Sequence, residues 1–350
     1  MPIEENRPLA PFTTLGIGGP ARWFAEAGSE DEIVEATAWA RQRGLPLFVL
    51  GGGSNLLVAD SGFDGLVVRV GLHGIAVSQD ETGGEKIYRV ATGEDWDSLV
   101  ERTVQDNCAG VECLAGIPGT VGGTPVQNVG AYGQEVASSI ERVRVFDLEE
   151  RAFREFSAAE CGFSYRRSRF NSTDRGRYIV TRVDYRLTVD GAPTLRYADL
   201  QRAMEESTRE GKQPSLAEVA AMVRSIRQSK GMLLFDGDPD CRSAGSFFKN
   251  PVVSEEQFKS LAAESGKKPP RFPAGRGEVK LPAAWLIEQS GFSKGHALGN
   301  AAISSRHTLA LINRGGATAQ EMQALAAQIT AAVEARFGIR LEMEPVMVGF

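Results

Sequence analysis

The architecture of this chain is set by the segment Leu45-Pro46-Leu47-Phe48-Val49-Leu50-Gly51-Gly52-Gly53-Ser54-Asn55-Leu56-Leu57-Val58. An apolar run that glycines interrupt and that then resumes predicts two buried strands joined by a loop. Consecutive glycines expose backbone N–H groups without side-chain obstruction, an arrangement that can bind a pyrophosphate. The loop lacks the Lys-Ser or Lys-Thr pair of a P-loop. From this loop alone, phosphate binding and a simple turn are equally favoured.

Strand and helix patterns alternate through the rest of the chain. Capping boxes of the type Ser-x-x-Glu or Thr-x-x-Glu begin at Ser29, Ser215 and Thr318. Gly44 and Gly338 are placed to end two of these helices. We predict helices over residues 29–44, 95–106, 215–230, 282–289 and 318–338, and strands over residues 21–27, 45–50, 56–58, 65–70, 86–91, 143–147, 178–187, 309–312 and 339–348. The pattern predicts an α+β fold.

The length indicates more than one domain. A chain of 350 residues is long enough for about two domains of roughly 150 residues each. Turn residues cluster at Val189-Asp190-Gly191-Ala192-Pro193, directly after a predicted strand. We therefore predict a boundary between residues 190 and 191, which gives domains of residues 1–190 and 191–350.

The charge balance argues against a nucleic-acid partner. The chain has 39 Lys and Arg residues against 45 Asp and Glu, a net charge of −6. Nucleic-acid binding normally needs a basic surface, because neutralisation of phosphates dominates the affinity, and Arg166-Arg167-Ser168-Arg169 is only one short basic cluster. No apolar run reaches the roughly 18 residues of a membrane span, and the N-terminus lacks the apolar core of a secretory signal. We predict a cytoplasmic protein without membrane insertion.

The cysteines and histidines do not indicate a metal site. The four cysteines form no C-x-x-C pair, and the three histidines have no metal-ligand spacing such as H-E-x-x-H. We therefore predict reduced thiols, no bound metal and chemistry that depends on an organic cofactor.

A second segment of small residues is Gly116-Ile117-Pro118-Gly119-Thr120-Val121-Gly122-Gly123. Two such loops can hold one extended cofactor, one loop at its pyrophosphate and the other near its ring. A third glycine pattern, Gly16-Ile17-Gly18-Gly19-Pro20-Ala21, matches the dinucleotide fingerprint G-x-G-x-x-A. That fingerprint must follow a buried strand and open a helix. Neither condition is met, so we interpret the third pattern as a turn.

The ordered motifs together resemble the UDP-N-acetylenolpyruvoylglucosamine reductase (MurB) family. The resemblance spans nearly the whole chain and rests on seven motifs: Thr13-Thr14-Leu15-Gly16-Ile17-Gly18-Gly19, Leu50-Gly51-Gly52-Gly53-Ser54-Asn55, Gly116-Ile117-Pro118-Gly119-Thr120-Val121-Gly122-Gly123, Gln127-Asn128-Val129-Gly130-Ala131-Tyr132-Gly133, Cys161-Gly162-Phe163-Ser164-Tyr165-Arg166, Ser243-Ala244-Gly245-Ser246-Phe247-Phe248-Lys249-Asn250-Pro251 and Leu341-Glu342-Met343-Glu344.

This resemblance implies a fold and a reaction. The fold is an FAD-binding domain of the vanillyl-alcohol-oxidase (PCMH) type with a smaller C-terminal α/β substrate-binding domain. NADPH reduces the flavin, which then reduces the enolpyruvyl ether of UDP-N-acetylglucosamine enolpyruvate to UDP-N-acetylmuramate for peptidoglycan synthesis. The FAD is expected to be noncovalent, because no histidine lies in the glycine loops. The sequence indicates no obligate protein partner.

The resemblance also implies three catalytic residues. Arg166 is expected to stabilise the enolate-like charge next to the substrate carboxylate, since a guanidinium can make a two-point contact with a carboxylate. Ser246 is expected to protonate the carbanionic carbon, a strong base for which a weakly acidic hydroxyl suffices. Glu344, on the predicted last strand, is expected to polarise the enol ether or carboxylate, with Glu342 as its rival.

The remaining predicted site residues bind the cofactor or the substrate. Tyr197, Lys230 and Asn250 are expected to hold the nucleotide-sugar, although the spacer after Lys230 leaves its reach open. His307 is also assigned to this pocket. A lone histidine beside a strand more often has a structural role. The FAD-binding residues are expected in the two glycine loops: Gly51, Gly52, Gly53, Ser54, Asn55, Gly116, Gly119, Thr120, Gly122 and Gly123.

Two other functions stay open at the level of the sequence. A related FAD-dependent oxidoreductase acting on a small hydroxy acid would share the glycine loops but would carry a basic catalytic residue in place of the set Arg166, Ser246 and Glu344. A non-catalytic nucleotide-sugar binding protein would bind the UDP-sugar without a yellow chromophore.

Overall fold

The computed structural model describes residues 1–80, 83–207, 213–265 and 269–350. Within these ranges the α-helices, labelled α1 to α7 in chain order, are Glu30–Gln42, Trp96–Gln105, Ala198–Ser207, Leu216–Ser229, Glu255–Ser265, Ala283–Gln289 and Ala319–Phe337. The strands, labelled β1 to β21, are Glu4–Pro8, Pro20–Ala27, Leu47–Leu50, Leu56–Val58, Phe63–Val70, Ile75–Gln79, Glu85–Ala91, Cys108–Ala109, Gly130–Ala131, Gln134–Glu135, Ile140–Asp147, Ala152–Ser157, Tyr178–Val189, Ser243–Ser246, Val252–Ser254, Phe272–Pro273, Glu278–Lys280, Ala297–Leu298, Ala301–Ile303, Ala310–Asn313 and Val346–Val348.

The chain divides into two compact units. The first unit consists of Met1–Arg7, Ala21–Gly53 and Asp64–Gln228. The second consists of Pro8–Pro20, Ser54–Phe63 and Ser229–Phe350. The predicted boundary between residues 190 and 191 separates an FAD-binding part from a substrate-binding part. That division by ligand stays a prediction.

Two sheets dominate the first unit. The larger has the strand order β12-β11-β13-β7-β6, with β8 added against β13. Its antiparallel register places Val183 opposite both Val143 and Val90, and all three side chains are buried. The smaller sheet has the order β1-β2-β5-β3, in which β3 and β5 are parallel. The predicted strand before the first glycine loop is therefore present over Leu47–Leu50, but it is an edge strand in which only Leu50 is fully buried, so the predicted burial is wrong for most of it.

Helices α1 and α2 of the first unit begin where the sequence predicts, whereas α3 was not predicted. Ser29 caps α1 by accepting a hydrogen bond from the Glu32 N–H at 3.2 Å, and Gly44 follows the helix with a left-handed φ of 63°. Asp95 caps α2 in the same way, at 2.8 Å from the Ser98 N–H. Trp96 at the start of α2 is fully buried and donates its indole N–H to the Leu114 carbonyl at 3.1 Å.

The second unit holds three smaller sheets and the longest described helix. Their strand orders are β14-β20-β19-β18, β15-β17-β16 and β21-β4. Thr318 and Glu321 form the predicted capping box of α7, and Gly338 ends that helix with a φ of 62°. The apolar stripe of α7 packs into the unit's core through Met322, Leu325, Ile329 and Val333.

The last predicted strand is wrong in its extent. Only Val346–Val348 forms a strand, which pairs in parallel with Leu56–Val58. Glu344 therefore precedes the last strand instead of lying on it. Pro345 has no N–H and cannot contribute a donor to a continuous ladder. Residues 342–344 instead run beside residues 247–249, where the Glu344 N–H donates to the Phe247 carbonyl at 2.9 Å.

The third glycine pattern forms a turn, as predicted. Gly16 and Gly18 have φ values of 63° and 145°, and β2 follows them instead of a helix. A Cβ built on Gly18 would lie 2.9 Å from the Val58 Cβ. This glycine therefore allows close backbone packing and does not form a dinucleotide fingerprint.

Candidate active site

The two predicted cofactor loops meet in the first unit. A Cβ built on Gly52 would lie 2.5 Å from the Gly119 Cα and 2.7 Å from the Thr120 nitrogen. A Cβ built on Gly51 would lie 3.1 Å from the Thr120 hydroxyl. At Gly52, backbone therefore packs on backbone between the two loops, which only glycine permits at this position. The result is a surface of main chain that a diphosphate or an aromatic ring can approach closely.

The second glycine loop is held against β7 and α2. The Val121 N–H donates to the Glu94 carbonyl at 2.9 Å, and the Gly122 N–H donates to the Thr92 carbonyl at 3.0 Å. A Cβ built on Gly122 would lie 2.7 Å from the Thr92 Cβ. The small residues of this motif are thus required by packing as well as by access to a ligand.

Two hydroxyl groups of this region fit a bound polar cofactor. The Oγ1 atoms of Thr92 and Thr120 are buried, and neither has a hydrogen-bond partner within the part of the chain that the structure describes. A buried hydroxyl without a partner is unfavourable, and such groups are normally satisfied by protein, water or ligand. A flavin ring or diphosphate carries acceptors and donors that can satisfy them.

The start of the second glycine loop is fixed by two charged side chains. The Gly116 N–H donates to the Asp97 carboxylate at 2.6 Å, and the Gly116 carbonyl accepts from Arg227 Nε at 2.9 Å. Asp97 also forms an ion pair with Arg224. Arg227 is buried, with 6% of its surface exposed, and burial lowers the pKa of its guanidinium. No local pattern in the sequence predicts this buried cation beside the predicted cofactor loop.

The first glycine loop continues into the second unit at Ser54 and Asn55. The Ser54 carbonyl accepts from the Thr14 hydroxyl at 3.4 Å, and the same hydroxyl donates to the Ser243 carbonyl at 2.6 Å. The Asn55 amide donates to the Glu344 carbonyl at 3.2 Å. Asn55 thereby fixes the backbone of a predicted catalytic residue, in addition to its predicted role at the cofactor.

Arg166 lies in a tight turn of the first unit. Ser164 and Arg167 exchange backbone hydrogen bonds across the turn, at 2.9 and 3.0 Å. Asn128, which is buried, donates its amide to the Ser164 carbonyl at 3.0 Å. Asn171 donates to the Arg166 carbonyl at 3.1 Å. The predicted catalytic arginine is therefore half-buried and held through its backbone from both sides.

Three non-glycine residues of the predicted motifs have a strained backbone conformation. Asn128, Tyr132 and Arg166 have φ values of 45°, 49° and 54°, a left-handed conformation that is unfavourable for residues with a side chain. Gly130 lies between them in the chain, and a Cβ on it would be 3.4 Å from Arg166 Nη1. Non-glycine residues keep this conformation only where the surrounding structure holds them in it. Such residues cluster at functional sites.

Tyr197 packs on Tyr132, which lies in the hairpin between β9 and β10. Its ring meets the ring of Tyr132 edge to face, with centroids 5.5 Å apart. Burial raises the pKa of the Tyr197 phenol, which therefore stays a hydrogen-bond donor at neutral pH. The segment before it is tied down by Glu112, whose buried carboxylate accepts from the Thr194 N–H at 2.8 Å and from the Gln134 amide at 3.1 Å.

Ser246 and Glu344 are brought together in the second unit. Ser246 ends β14, and the next residue, Phe247, accepts the Glu344 N–H through its carbonyl. Glu342, the rival carboxylate, forms an ion pair with Lys249. The charge of Glu342 is therefore partnered by a lysine of the same unit.

The other predicted substrate residues of the second unit occupy different local settings. Asn250 accepts the Ala283 N–H at 2.9 Å through Oδ1, so it supports the start of α6 and its Nδ2 is the group that a ligand would meet. Lys230 follows α4 directly. The His307 N–H donates to the Ser304 hydroxyl at 3.2 Å, within the turn before β20.

Three residues of this region have no role predicted from the sequence. Tyr132 was quoted only as part of a motif, although burial raises its pKa and it hydrogen-bonds with Arg227. Thr92 and Arg227 contact the second glycine loop from distant positions in the chain. No local pattern could have identified them, since their partners are not neighbours in sequence.

Comparison with known proteins identifies the class first. The family profile for "FAD binding domain" matches residues 21–153, and the profile for "UDP-N-acetylenolpyruvoylglucosamine reductase, C-terminal domain" matches residues 238–348. Together with the mixed helix and sheet content, these matches define an FAD-dependent oxidoreductase. The predicted α+β class, with a PCMH-type FAD-binding domain and a smaller C-terminal domain, is confirmed.

Full-length relatives identify the family. The UDP-N-acetylenolpyruvoylglucosamine reductase of Thermobifida fusca (strain YX) is 47% identical over 354 residues, covering 99% of this chain and 98% of the relative. That of Streptomyces coelicolor is 44% identical over 358 residues, covering 99% and 91%. The crystal structure of UDP-N-acetylenolpyruvylglucosamine reductase (MurB) from Thermus caldophilus is similar with a TM-score of 0.65 and 28% identity over 99% of both chains. The chain belongs to the UDP-N-acetylenolpyruvoylglucosamine reductase family.

Two features are not found in the described residues. No group of three or more His, Cys, Asp or Glu side chains in these ranges could hold a metal ion. Likewise, none of the helices described above combines the length and the apolar character that crossing a bilayer requires.

Proposed function

We propose that this protein uses NADPH and noncovalently bound FAD to reduce UDP-N-acetylglucosamine enolpyruvate to UDP-N-acetylmuramate, a step of peptidoglycan precursor synthesis in the cytoplasm. The observation that carries this proposal is the 47% identity with a named reductase over 99% of the chain. Bound FAD supplies a carrier for two electrons, from NADPH to the substrate.

The two glycine loops hold the cofactor in this proposal. Gly51, Gly52 and Gly53, with Ser54 and Asn55, meet one part of it, and the second loop, comprising Gly116, Gly119, Thr120, Gly122 and Gly123, meets another. The main-chain surface between Gly52 and Gly119 supports this assignment, as do the buried hydroxyls of Thr92 and Thr120. The hydroxyls of Thr92 and Thr120 would then hydrogen-bond to the cofactor in place of water.

Arg166 stabilises the charge that develops during the reduction. Addition of hydride to the terminal carbon of an enol ether leaves negative charge on the carbon next to the carboxylate. A guanidinium stays charged at every relevant pH and presents parallel donors to a carboxylate. The hydrogen-bonded turn around Arg166 supports this role. A cation that the fold already holds in place stabilises the developing charge without a free-energy cost for reorganising the site.

Ser246 donates a proton to that carbon, and Glu344 acts as its partner. A serine hydroxyl is a weak acid, but a carbanionic carbon is a strong base, so position matters more than a matched pKa. The hydrogen bond from the Glu344 N–H to the Phe247 carbonyl supports the pairing of these two residues. In its carboxylic acid form, Glu344 donates a hydrogen bond to the enol ether or the substrate carboxylate as the charge forms.

Tyr197, Lys230, Asn250 and His307 bind the nucleotide-sugar. An ammonium and a neutral phenol are good donors to a diphosphate. The packing of Tyr197 on the Tyr132 ring supports its place in the site, and the hydrogen bond from the Ala283 N–H to Asn250 Oδ1 leaves the Nδ2 group of Asn250 as its donor to a ligand. His307 is the least specified of the four, because its backbone also serves the turn before β20.

The test is anaerobic NADPH consumption by the purified protein, with and without UDP-N-acetylglucosamine enolpyruvate, while the flavin absorbance is followed. We expect flavin bleaching by NADPH and recovery of the absorbance when the substrate is added, with one NADPH consumed per substrate. A flavin that NADPH reduces but this substrate never reoxidises would indicate the hydroxy-acid oxidoreductase instead. Absence of flavin after reconstitution with FAD would indicate the nucleotide-sugar binding protein.

A further inference from the structure

The second unit contains a buried charge cluster outside the predicted catalytic set. Arg306 donates from Nε to the Asp240 carboxylate at 3.0 Å and forms a second ion pair with Asp238. The Ser305 hydroxyl donates to Asp240 at 2.6 Å. We call Asp238, Asp240, Ser305 and Arg306 the carboxylate clamp.

The clamp is largely removed from solvent. The side chains of Asp238 and Asp240 are 2% and 4% exposed, and that of Arg306 is 31% exposed. The Asp240 N–H donates to Asp238 at 2.9 Å, which locks the two carboxylates into one turn. Removing one partner of such a buried ion pair would leave a buried charge without compensation, which is strongly destabilising.

The residue after Lys230 packs directly on the clamp. Gly231 is buried with a left-handed φ of 66°. A Cβ built on it would lie 2.7 Å from the Asp240 Cβ and 2.8 Å from Arg306 Nη2. The chain can therefore turn at Gly231 only because a glycine faces the clamp, and this turn fixes the backbone on which Lys230 stands.

The same cluster is continuous with two other predicted site segments. Asp240 stands three residues before β14, the strand that Ser246 ends. Arg306 is adjacent in the chain to His307, and the Ser304 hydroxyl accepts from the N–H groups of both, at 3.1 and 3.2 Å. The spacer between Lys230 and Ser246 is thus folded onto the turn that carries His307.

We propose that Asp240 and Arg306 are positioning residues, which hold the Lys230 ammonium at the diphosphate of the substrate. They act through Gly231 and do not themselves touch the substrate. The inference rests on the proposed function, because it takes Lys230 as a ligand of the nucleotide diphosphate. It predicts that loss of the clamp weakens substrate binding and leaves the chemistry with NADPH intact.

The test compares wild type, Arg306→Gln, Lys230→Met and the double variant as FAD-loaded enzymes. We expect Arg306→Gln to raise the KM for UDP-N-acetylglucosamine enolpyruvate about tenfold, with kcat and the rate of flavin reduction by NADPH within about twofold. In the Lys230→Met background, Arg306→Gln should change KM by less than about twofold, since two residues that act through one contact are not additive. Arg340→Gln, at an exposed position of the same unit, is the control.

Two results would overturn the inference. One is an unchanged KM in Arg306→Gln, and the other is an equal increase of KM in the wild-type and Lys230→Met backgrounds. If Arg306→Gln does not fold, Ser305→Ala removes only the 2.6 Å hydrogen bond to Asp240 and should raise KM about threefold with the same dependence on Lys230. A wild-type enzyme that never turns over this substrate would overturn the proposed function first, which separates the two failures.

Discussion

Gly52 stands so close to Gly119 that a Cβ on it would lie 2.5 Å from the Gly119 Cα. The two loops that the sequence separates by more than 60 positions therefore share one backbone surface in the first unit. The first loop cannot take a larger residue at Gly52 without displacing the second loop. Glycine is therefore required at position 52 by the packing of the two loops, whether or not a ligand is bound.

Alanine at Gly122 should lower the stability of the FAD-free protein, because the new Cβ would lie 2.7 Å from the Thr92 Cβ. We expect a loss of about 1–3 kcal/mol in the free energy of unfolding, measured by urea denaturation of the apoprotein. Gly123→Ala is the matched control, since a Cβ there meets nothing within 4 Å, and it should stay within about 0.5 kcal/mol of wild type. Equal losses would contradict the packing argument.

Replacement of Ser246 by alanine should separate the two half-reactions. Flavin reduction by NADPH should be nearly unchanged, while reoxidation by UDP-N-acetylglucosamine enolpyruvate should slow by about 10²–10⁴-fold, the usual contribution of a positioned proton donor. Single-turnover stopped-flow absorbance measures both steps. Ser254→Ala, at an exposed serine of the same unit, should affect neither. An equal loss of both half-reactions would argue against proton donation.

Lysine at position 166 should preserve the positive charge but lose the two-point contact with the substrate carboxylate. We expect kcat to fall by about 10²-fold, with smaller changes in flavin reduction by NADPH. The neighbouring Arg167→Lys is the matched control, because Arg167 is exposed and its backbone makes the hydrogen bonds of the turn. Steady-state and half-reaction kinetics of both variants would check this; similar losses in the two would indicate a general effect of charge or turn stability.

The cysteines should differ sharply in their reactivity in the folded protein. Burial raises the pKa of both Cys113 and Cys161 to about 12, so their thiolate forms are scarce at neutral pH. Cys108 is fully buried, whereas Cys241 is half-buried. We expect one thiol to react quickly with a disulfide reagent in native conditions and all four in denaturant. Cys241→Ser should abolish the fast phase; its persistence would disprove the assignment.

Acid should weaken the first unit partly through Asp147. Its hydrogen-bonded ion pair with Arg177 holds the pKa of the buried Asp147 carboxyl below its ordinary value. The stabilisation is therefore fully present above the unfolded pKa of about 3.9 and is lost as the pH falls through the lower folded pKa. Asp147→Asn should flatten the dependence of the unfolding free energy on pH below about pH 4. Asp64→Asn, which breaks an exposed ion pair with Arg22, should change it little.

Several elements of the fold could be predicted from local sequence. The capping residues Ser29 and Thr318 begin α1 and α7 as predicted, and Gly338 ends α7. Capping depends on residues three apart in the chain, so a short pattern contains all the information it needs. The glycine loop after Leu50 was equally visible, because an apolar strand cannot continue through three glycines.

The sequence by itself determined the caps, the strand periods and the glycine loops, since each depends on neighbours within a few positions. Only the tertiary structure decided where the last strand begins, because residues 342–344 pair with residues 247–249 and Pro345 supplies no donor for a longer ladder. It alone places Arg227 beside Gly116, and Asp240 and Arg306 beside Gly231, the residue after Lys230. Such contacts join residues dozens to more than a hundred positions apart, and no local pattern of polarity encodes which distant charge will meet which backbone.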